Sequence, residues 1–129
     1  MKPASGIGVF NDTRQTVPRL PFAAIKNYVL GKNYGLSLAF VGEKTSRRLN
    51  RLYRGQEGPA NVLSFALSKK SGEIIINLPR AKKEGSLFGV SAGERMTHLF
   101  IHALLHLKGL SHGSKMEDKE LSIKKKFRI

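Results

Sequence analysis

The stretch that decides the fold is IHALLHLKGLSH, residues 101 to 112, with histidines at positions 102, 106 and 112. Apolar residues surround the first two histidines and continue back to Met96. The pattern predicts a helix from about Ala92 to Lys108 that is apolar almost all round and therefore buried. Gly109 is expected to end it. We expect this helix to form the core of the domain.

The histidine spacing predicts a metal site. His102 and His106 are four residues apart, so on a helix the second ring lies one turn along and only ~40° round. His112 can approach the same point once the chain has turned back after Gly109. Three neutral imidazoles on one zinc ion leave a fourth position open, as catalytic zinc sites do. Zinc is the favoured metal, although nickel, cobalt or copper could occupy such a site in vitro.

His98 lies one further turn back on the same helix face. It could be a fourth ligand, a group that supports a ligand, or part of the core, and we favour a neighbour of the site over a ligand. The spacing H-x3-H-x2-G-x2-H also matches the metzincin metalloproteases. Those enzymes need a glutamate directly after the first histidine as general base. Ala103 stands at that place, which argues against a peptidase.

The remaining segments predict the fold class. Short runs of apolar residues indicate strands at 6–10, 36–41, 62–67 and 73–77, and the pattern alternates at 36–41. Helical spacing indicates helices at 21–30 and 43–54, a short helix from Pro79, and a last helix from after Gly113 to 127. The elements mix without strict alternation. This predicts an α+β domain, 1–129, in which a small mixed sheet of about four strands packs against helices around a buried metal-binding helix.

The sequence also predicts how individual strands and helices pack. The strand at 73–77 is apolar on both faces and should be central, and it should form a hairpin with 62–67 through a turn at 69–72. The helix at 43–54 should bury Leu49, Leu52 and Tyr53. The apolar anchors expected for the last helix are Met116, Leu121, Ile123 and Phe127.

Composition limits the possible partners. The chain has 129 residues, no cysteine and a net charge of +14. Zinc ribbons and disulfide frameworks are thereby excluded, while the charge favours a nucleic-acid partner. We expect no signal peptide, no membrane partner and a cytoplasmic protein. Phosphate contacts are expected from a basic stripe on the 43–54 helix and a lysine pair after it: Arg47, Arg48, Arg51, Lys82 and Lys83.

Two separated motifs resemble one known family. Residues 102–112, HALLHLKGLSH, are similar to the signature HGxLHLxGYDH of the YbeY family of metal-dependent endoribonucleases. Residues 49–65, LNRLYRGQEGPANVLSF, are similar to that family's LNxxYRxKDxPTDVLSF block, and GEIIINLP at 72–79 resembles its GDIVI-type strand. The motifs occur in the family's order, and the resemblance covers nearly the whole chain.

The resemblance implies a function and a set of site residues. It implies one zinc ion held by His102, His106 and His112, with Arg54 as a catalytic arginine and Asn61 and Ser64 lining the cleft. The implied activity is cleavage of single-stranded RNA in rRNA maturation, notably at the 3′ end of the small-subunit 16S rRNA, and in ribosome quality control. The implied partners are RNA and the small ribosomal subunit, without a small-molecule cofactor; the oligomeric state is not indicated.

The chain also departs from the family pattern. Ser111 replaces the aspartate before the third histidine, and Ala103 replaces the glycine after the first. In the loop, Gln56 and Glu57 stand where the family has Lys and Asp, and Ala60-Asn61 replaces Thr-Asp or Thr-Asn. Glu57 is a candidate general base. Few aromatic residues are free to stack bases, so we expect weak sequence readout.

Two other functions fit the same residues. A metallohydrolase of another substrate, peptide or small ester, would use the same three ligands. A non-catalytic ribosome-binding module would keep the charge and hold a structural metal through four protein ligands, with His98 as the fourth.

Overall fold

The computed structural model describes residues 6–129 of the chain. Within that range the strands are β1 (Gly6–Asn11), β2 (Gly35–Val41), β3 (Val62–Ser68) and β4 (Ser71–Asn77). The helices are α1 (Phe22–Leu30), α2 (Glu43–Arg54), α3 (Leu78–Phe88), α4 (Ala92–Lys108) and α5 (Ser114–Phe127). The predicted α+β class is confirmed, with a mixed sheet of four strands.

The sheet has the strand order β1-β2-β4-β3. β1 pairs with β2, and β2 with β4, in parallel, while β3 and β4 run antiparallel. The interior position of β4 confirms the prediction from its apolar sequence. Ile74 and Ile76 face the main core, and Ile75 packs on the other face in a smaller cluster with Val41 and Leu63.

The β3–β4 hairpin is confirmed, but its turn is shorter than predicted. β3 extends to Ser68 and β4 begins at Ser71, so Ser71 and Gly72 belong to the strand and not to the turn. Gly72 pairs with Leu36 of β2. A Cβ atom at Gly72 would overlap Tyr34 Oη and crowd Leu107 Cδ2 at 3.1 Å. The glycine at this position therefore makes room for a side chain and does not mark a turn.

α4 is the central helix of the core, as its sequence predicts. Its buried apolar residues are Met96, Leu99, Phe100, Ile101, Ala103, Leu104 and Leu105. The Ser91 side chain accepts a hydrogen bond from the Glu94 backbone N–H at 3.0 Å and caps the helix start. Gly109 ends the helix with φ 105°, a left-handed conformation that glycine adopts without strain.

α2 packs differently from the prediction. Leu52 and Tyr53 are 67% and 63% exposed, and the buried residues of the helix are Ser46 and Asn50. The Ser46 hydroxyl donates to the Ala60 carbonyl at 2.6 Å and accepts from the Ala60 N–H at 3.0 Å. Asn50 Nδ2 donates to the Gly58 carbonyl at 3.0 Å. Leu49 is partly buried and packs, as predicted, against the smaller cluster that contains Ile75. The buried positions beside it are polar because the neighbouring loop has backbone groups that need partners.

α5 also presents a different face from the one predicted. Leu121, expected as an anchor, is 62% exposed, whereas Met116, Glu120 and Ile123 are buried. These three recur at the spacing of one helix face, and Leu121 lies one residue out of phase. A carboxylate therefore occupies a position in the interface between α5 and α4.

Among residues 6–129, no helix has both the length and the apolar content required to cross a bilayer.

Candidate metal centre

Three histidine side chains converge at the end of α4. One ring nitrogen from each of His102, His106 and His112 lies within 4.8 Å of the others. The ring centroids form a nearly regular triangle with separations of 4.7, 4.9 and 4.9 Å. His102 and His106 come from one face of the helix. The chain reverses at Gly109 and brings the exposed His112 back to the same point.

Hydrogen bonds fix which nitrogen each helical ring presents. His106 Nδ1 lies 3.1 Å from the Leu110 carbonyl oxygen, which can only accept, so Nδ1 carries the proton. His102 Nδ1 lies 3.2 Å from a carboxylate oxygen of Glu120 and is held in the same tautomer. Both rings therefore direct unprotonated Nε2 atoms toward the common point. Burial, followed by the neighbouring His102, lowers the pKa of His106 and favours its neutral, metal-binding form.

The donor set fits zinc. The His102 and His106 Nε2 atoms are 3.2 Å apart. Two nitrogens bound at about 2.0–2.1 Å to one tetrahedral ion are about 3.3 Å apart, so both can bind the same ion with little movement. Three imidazoles without a thiolate suit zinc and leave one position for water or substrate. Imidazole nitrogens also suit nickel and copper, so the geometry alone does not select the metal.

Glu120 is the residue of the site that the sequence did not reveal. Its Oε1 lies 3.2 Å from His102 Nδ1, and its Oε2 lies 3.5 Å from His98 Nε2. The side chain is 10% exposed. A carboxylate that accepts from a metal-binding imidazole orients the ring and raises its basicity. Glu120 thereby supplies from α5 the carboxylate function that Ser111 lacks. Its only signal in the sequence is its position between Met116 and Ile123 on an otherwise apolar face.

His98 stands beside the three-histidine cluster. Its ring stacks at 6.4 Å from His102, and its Nε2 faces Glu120. Burial is the main cause of a lowered pKa at His98, and Lys124 is the next, so the ring is held neutral. Its Nδ1 is buried and has no hydrogen-bond partner within the described part of the chain.

A cleft of about 320 Å³ opens over the histidines. Asn61 and Ser64 line it together with Ala103, so the first two of these lie where the resemblance placed them. The residues of 6–129 that line this cleft include neither Arg54 nor Glu57, which are exposed at the end of α2 and in the loop that follows. Of the other predicted RNA-binding residues, Lys82 is half-buried and the rest are exposed: Arg47, Arg48, Arg51 and Lys83.

The cleft also contains an arginine that was not anticipated from the sequence. Arg95 lines the cleft, and its Nη2 and Nε lie 2.8 and 2.9 Å from Glu84 Oε1. Asn61 Nδ2 donates to the same carboxylate at 3.3 Å. Glu84 therefore holds an arginine and an amide in fixed positions beside the histidines. Arg95 precedes His102 by seven residues, and this helical spacing was the available signal.

The sequence of this chain is similar to those of known proteins. A family model described as "Endoribonuclease YbeY" matches residues 10–128. A protein of that name from Geobacillus kaustophilus is 32% identical over an alignment that covers 85% of this chain and 80% of the relative. Another, from Geobacillus sp. (strain WCH70), is 34% identical over 81% of this chain and 75% of the relative.

A solved structure shares the fold. The solution structure of TM1509 from Thermotoga maritima superimposes with a TM-score of 0.66 at 19% identity, covering 95% of this chain and 91% of that one. At this level of identity the similarity concerns the fold. The sheet and the five helices described above are therefore an architecture already seen in a solved protein.

Proposed function

The chain belongs to the YbeY endoribonuclease family, and on that premise we propose that it is a zinc-dependent endoribonuclease that cleaves single-stranded RNA. The observation that carries the proposal is the convergence of three histidine nitrogens within 4.8 Å at the floor of an open cleft. We place its action in rRNA maturation, at the 3′ end of the small-subunit 16S rRNA, and in ribosome quality control. Its partners are then rRNA and the small ribosomal subunit in the cytoplasm.

The metal supplies the chemistry that the side chains lack. When bound, zinc acts as a Lewis acid toward a phosphoryl oxygen and lowers the pKa of a water toward ~7. His102, His106 and His112 hold it. Glu120 and the Leu110 carbonyl keep two of these rings in the tautomer that leaves Nε2 free. Asn61 and Ser64 line the wall of the cleft that the RNA backbone contacts.

Arginines stabilise the charge that develops on the phosphate. Arg95 lies in the cleft with its guanidinium held by Glu84. Arg54 is exposed at the end of α2, and the adjoining loop leads directly to Asn61. We assign Arg54 the role of a forked donor to the scissile or adjacent phosphate. The flanking phosphates are held by the basic stripe and the lysine pair, Arg47, Arg48, Arg51, Lys82 and Lys83.

The general base is not Glu57 in this proposal. Glu57 is exposed in the loop, and the described residues that line the cleft include no carboxylate. A proton released at the reacting atoms therefore passes to solvent through the open cleft. The same lack of a carboxylate, with Ala103 in the cleft wall, weighs against a metzincin-like peptidase. The orientation of His98 Nε2 toward Glu120 weighs against a structural site with four protein ligands.

Metal content and RNA cleavage measured together test the proposal. Purified protein is expected to carry about one zinc per chain and to cut a single-stranded RNA but not the same sequence in a duplex. His106→Ala should lose both zinc and cleavage. Arg54→Ala should keep zinc and lose cleavage by roughly a hundredfold or more, because it removes a donor to the transition state.

The mutant also controls for contaminating nucleases. Cleavage by His106→Ala from which the metal has been removed, at the wild-type rate, would overturn the mechanism. Zinc-dependent cleavage of a peptide library in place of RNA would show that the substrate is wrong while the metal site is right.

A further inference from the structure

A second cavity adjoins the metal cleft. It has a volume of about 270 Å³ and lies where the end of α3, the first turns of α4 and the end of α5 meet. Arg95 and His98 line both this cavity and the cleft. The two cavities therefore lie side by side along α4, and a ligand bound over the histidines is next to the second cavity. We call this second cavity the side cavity.

Phe88 provides an aromatic surface in the side cavity. It is the last residue of α3 and is 61% exposed. Two other aromatic side chains are more than half exposed, but Tyr28 packs on Phe127 and Tyr53 packs on Phe65. Phe88 has no aromatic partner within residues 6–129. Its ring contacts Arg95 instead, with the guanidinium carbon 5.0 Å from the ring centroid.

The charges around the side cavity suit a nucleotide. Arg95 and Lys124 line it, and both are cationic. Glu94 is the acidic residue in its lining and would repel a phosphate placed next to it. The cavity therefore combines an aromatic face and apolar side chains, which suit a neutral base, with cations at its border, which suit the phosphate attached to that base.

Because Glu84 already binds Arg95, the platform is preorganised. The Arg95 side chain is only 16% exposed and is held on one side by the carboxylate and on the other by the Phe88 ring. A base that stacks on Phe88 meets a surface whose side chains do not need to be ordered on binding. The sequence indicates few aromatic side chains free to stack bases. Phe88 is contacted by Arg95 but is 61% exposed and has no aromatic partner within residues 6–129.

We propose that the side cavity is a base-binding subsite, in which Phe88 stacks the unpaired nucleobase next to the scissile phosphate while Arg95 and Lys124 contact the adjoining phosphate. The inference rests on the proposed function, because it gives a structural reason for a single-stranded RNA substrate. A base in a duplex is already stacked and cannot enter, so this subsite is a reason for single-strand selectivity. Stacking accepts every base, which keeps sequence readout weak.

A single introduced tryptophan tests the subsite without RNA cleavage. The chain contains no tryptophan, so F88W in the zinc-loaded protein carries one fluorescent reporter. Adenosine 5′-monophosphate should quench it saturably, and ribose 5-phosphate, which lacks the base, should not. L87W is the matched control, because Leu87 is adjacent, 71% exposed and absent from the cavity lining. Absence of saturable quenching in F88W, or equal quenching in L87W, would overturn the subsite.

Kinetics on single-stranded RNA separate this inference from the proposed function. Phe88→Ala should raise KM by roughly tenfold, as expected for the loss of one stacked base, with kcat changed by less than about twofold. Phe88→Tyr should restore the wild-type KM. If wild type cleaves RNA and Phe88→Ala has the wild-type KM, the subsite is wrong and the nuclease stands. If zinc-loaded wild type does not cleave RNA at all, the proposed function fails and the subsite fails with it.

Discussion

At the scale of single residues, Glu120 connects two imidazoles through its two carboxylate oxygens. One oxygen contacts His102 and the other contacts His98. A carboxylate placed behind a metal-binding histidine increases metal affinity by fixing the ring and polarising it. Glu120 is therefore as much a part of the candidate metal centre as the three histidines of the motif.

Glu120→Gln should weaken zinc binding by about 10- to 100-fold, because the amide cannot polarise His102 as a carboxylate does. Competition with a chromophoric zinc chelator measures the dissociation constant. Asp118→Asn, an exposed change of the same kind on the same helix, should leave it unchanged. Equal affinity in Glu120→Gln and wild type would show that the carboxylate does not support the ligand.

The clustering of the three histidines could be predicted from the sequence, whereas the groups that contact them could not, for a physical reason. Two histidines on one helix turn and a third after a glycine form a pattern within eleven residues, and local geometry determines their convergence. Glu120 lies 18 residues from His102. Its approach depends on how α5 docks, and the exposed Leu121 beside it was the more obvious candidate for burial. The Arg95–Glu84 contact likewise forms only when α3 and α4 pack together.

At the scale of elements, α2 is attached through the hydrogen bonds of Ser46 and Asn50 and through the partly buried Leu49, whereas Leu52 is largely exposed. Ser46→Ala would leave the backbone N–H and carbonyl of Ala60 without that partner. We expect a loss of about 1–3 kcal/mol in the free energy of unfolding. Leu52→Ala, at a side chain 67% exposed, should cost less than about 0.5 kcal/mol. Urea unfolding of both variants measures the difference, and the reverse order would contradict this packing.

An ion pair connects the start of α2 to α3. Arg80 Nε donates to Glu43 Oε1 at 3.0 Å, and this hydrogen bond is the main reason that the pKa of Glu43 lies below its ordinary 4.5. A carboxyl whose pKa is lowered by folding adds stability at pH values above its unfolded pKa, and this stability disappears as the pH falls through the folded pKa. Both side chains are about a third exposed, so the contribution is below about 1 kcal/mol.

Glu43→Gln should therefore be slightly less stable than wild type at pH 7, and the difference should disappear as the pH falls through the lowered pKa of Glu43. Urea titrations across that pH range measure it. Glu57→Gln, at an exposed loop position, serves as the control. A difference between wild type and Glu43→Gln that stays constant from pH 7 to pH 3 would show that the ion pair is not its cause.

Most elements could be predicted because their signals are local. The apolar run of α4, its terminal Gly109 and the apolar runs of β3 and β4 each depend on a few neighbouring residues. The strand order β1-β2-β4-β3 could not be predicted from local signals. It places β4 between its hairpin partner β3 and the strand β2, which ends 30 residues before β4 begins. The buried face of α2 could not be predicted either, because its buried polar residues find their hydrogen-bond partners only in the loop that packs against the helix.

At the scale of the whole molecule, the net charge is +14, and the number of phosphates that its basic side chains neutralise determines how RNA binding depends on salt. For single strands, log K falls against log salt concentration with a slope of about −0.7 for each phosphate neutralised. The double variant Arg47→Gln/Arg51→Gln should therefore bind more weakly at low salt and show a slope shallower by about 1.4. Titration of a single-stranded RNA at several salt concentrations measures both effects.

The control has the same charge change at a different place. Lys69 and Lys70 form the β3–β4 turn, and the turn lies about 20 Å along β3 from Val62 in the cleft. Lys69→Gln/Lys70→Gln should leave the slope unchanged. An equal decrease in both double variants would show that the charge acts as a diffuse field and that the α2 stripe is not a specific contact surface.

The position of Glu120 on α5 also affects how much a motif can say about any truncated form of this protein. A chain cut by a protease or a stop codon shortly after His112 would retain every residue of HALLHLKGLSH. It would have lost Glu120, and with it the group that keeps His102 in its metal-binding tautomer. A gene fragment that retains the whole signature would thus encode a protein that binds metal poorly. Inspection of the three histidines alone would misclassify such a fragment as a functional gene.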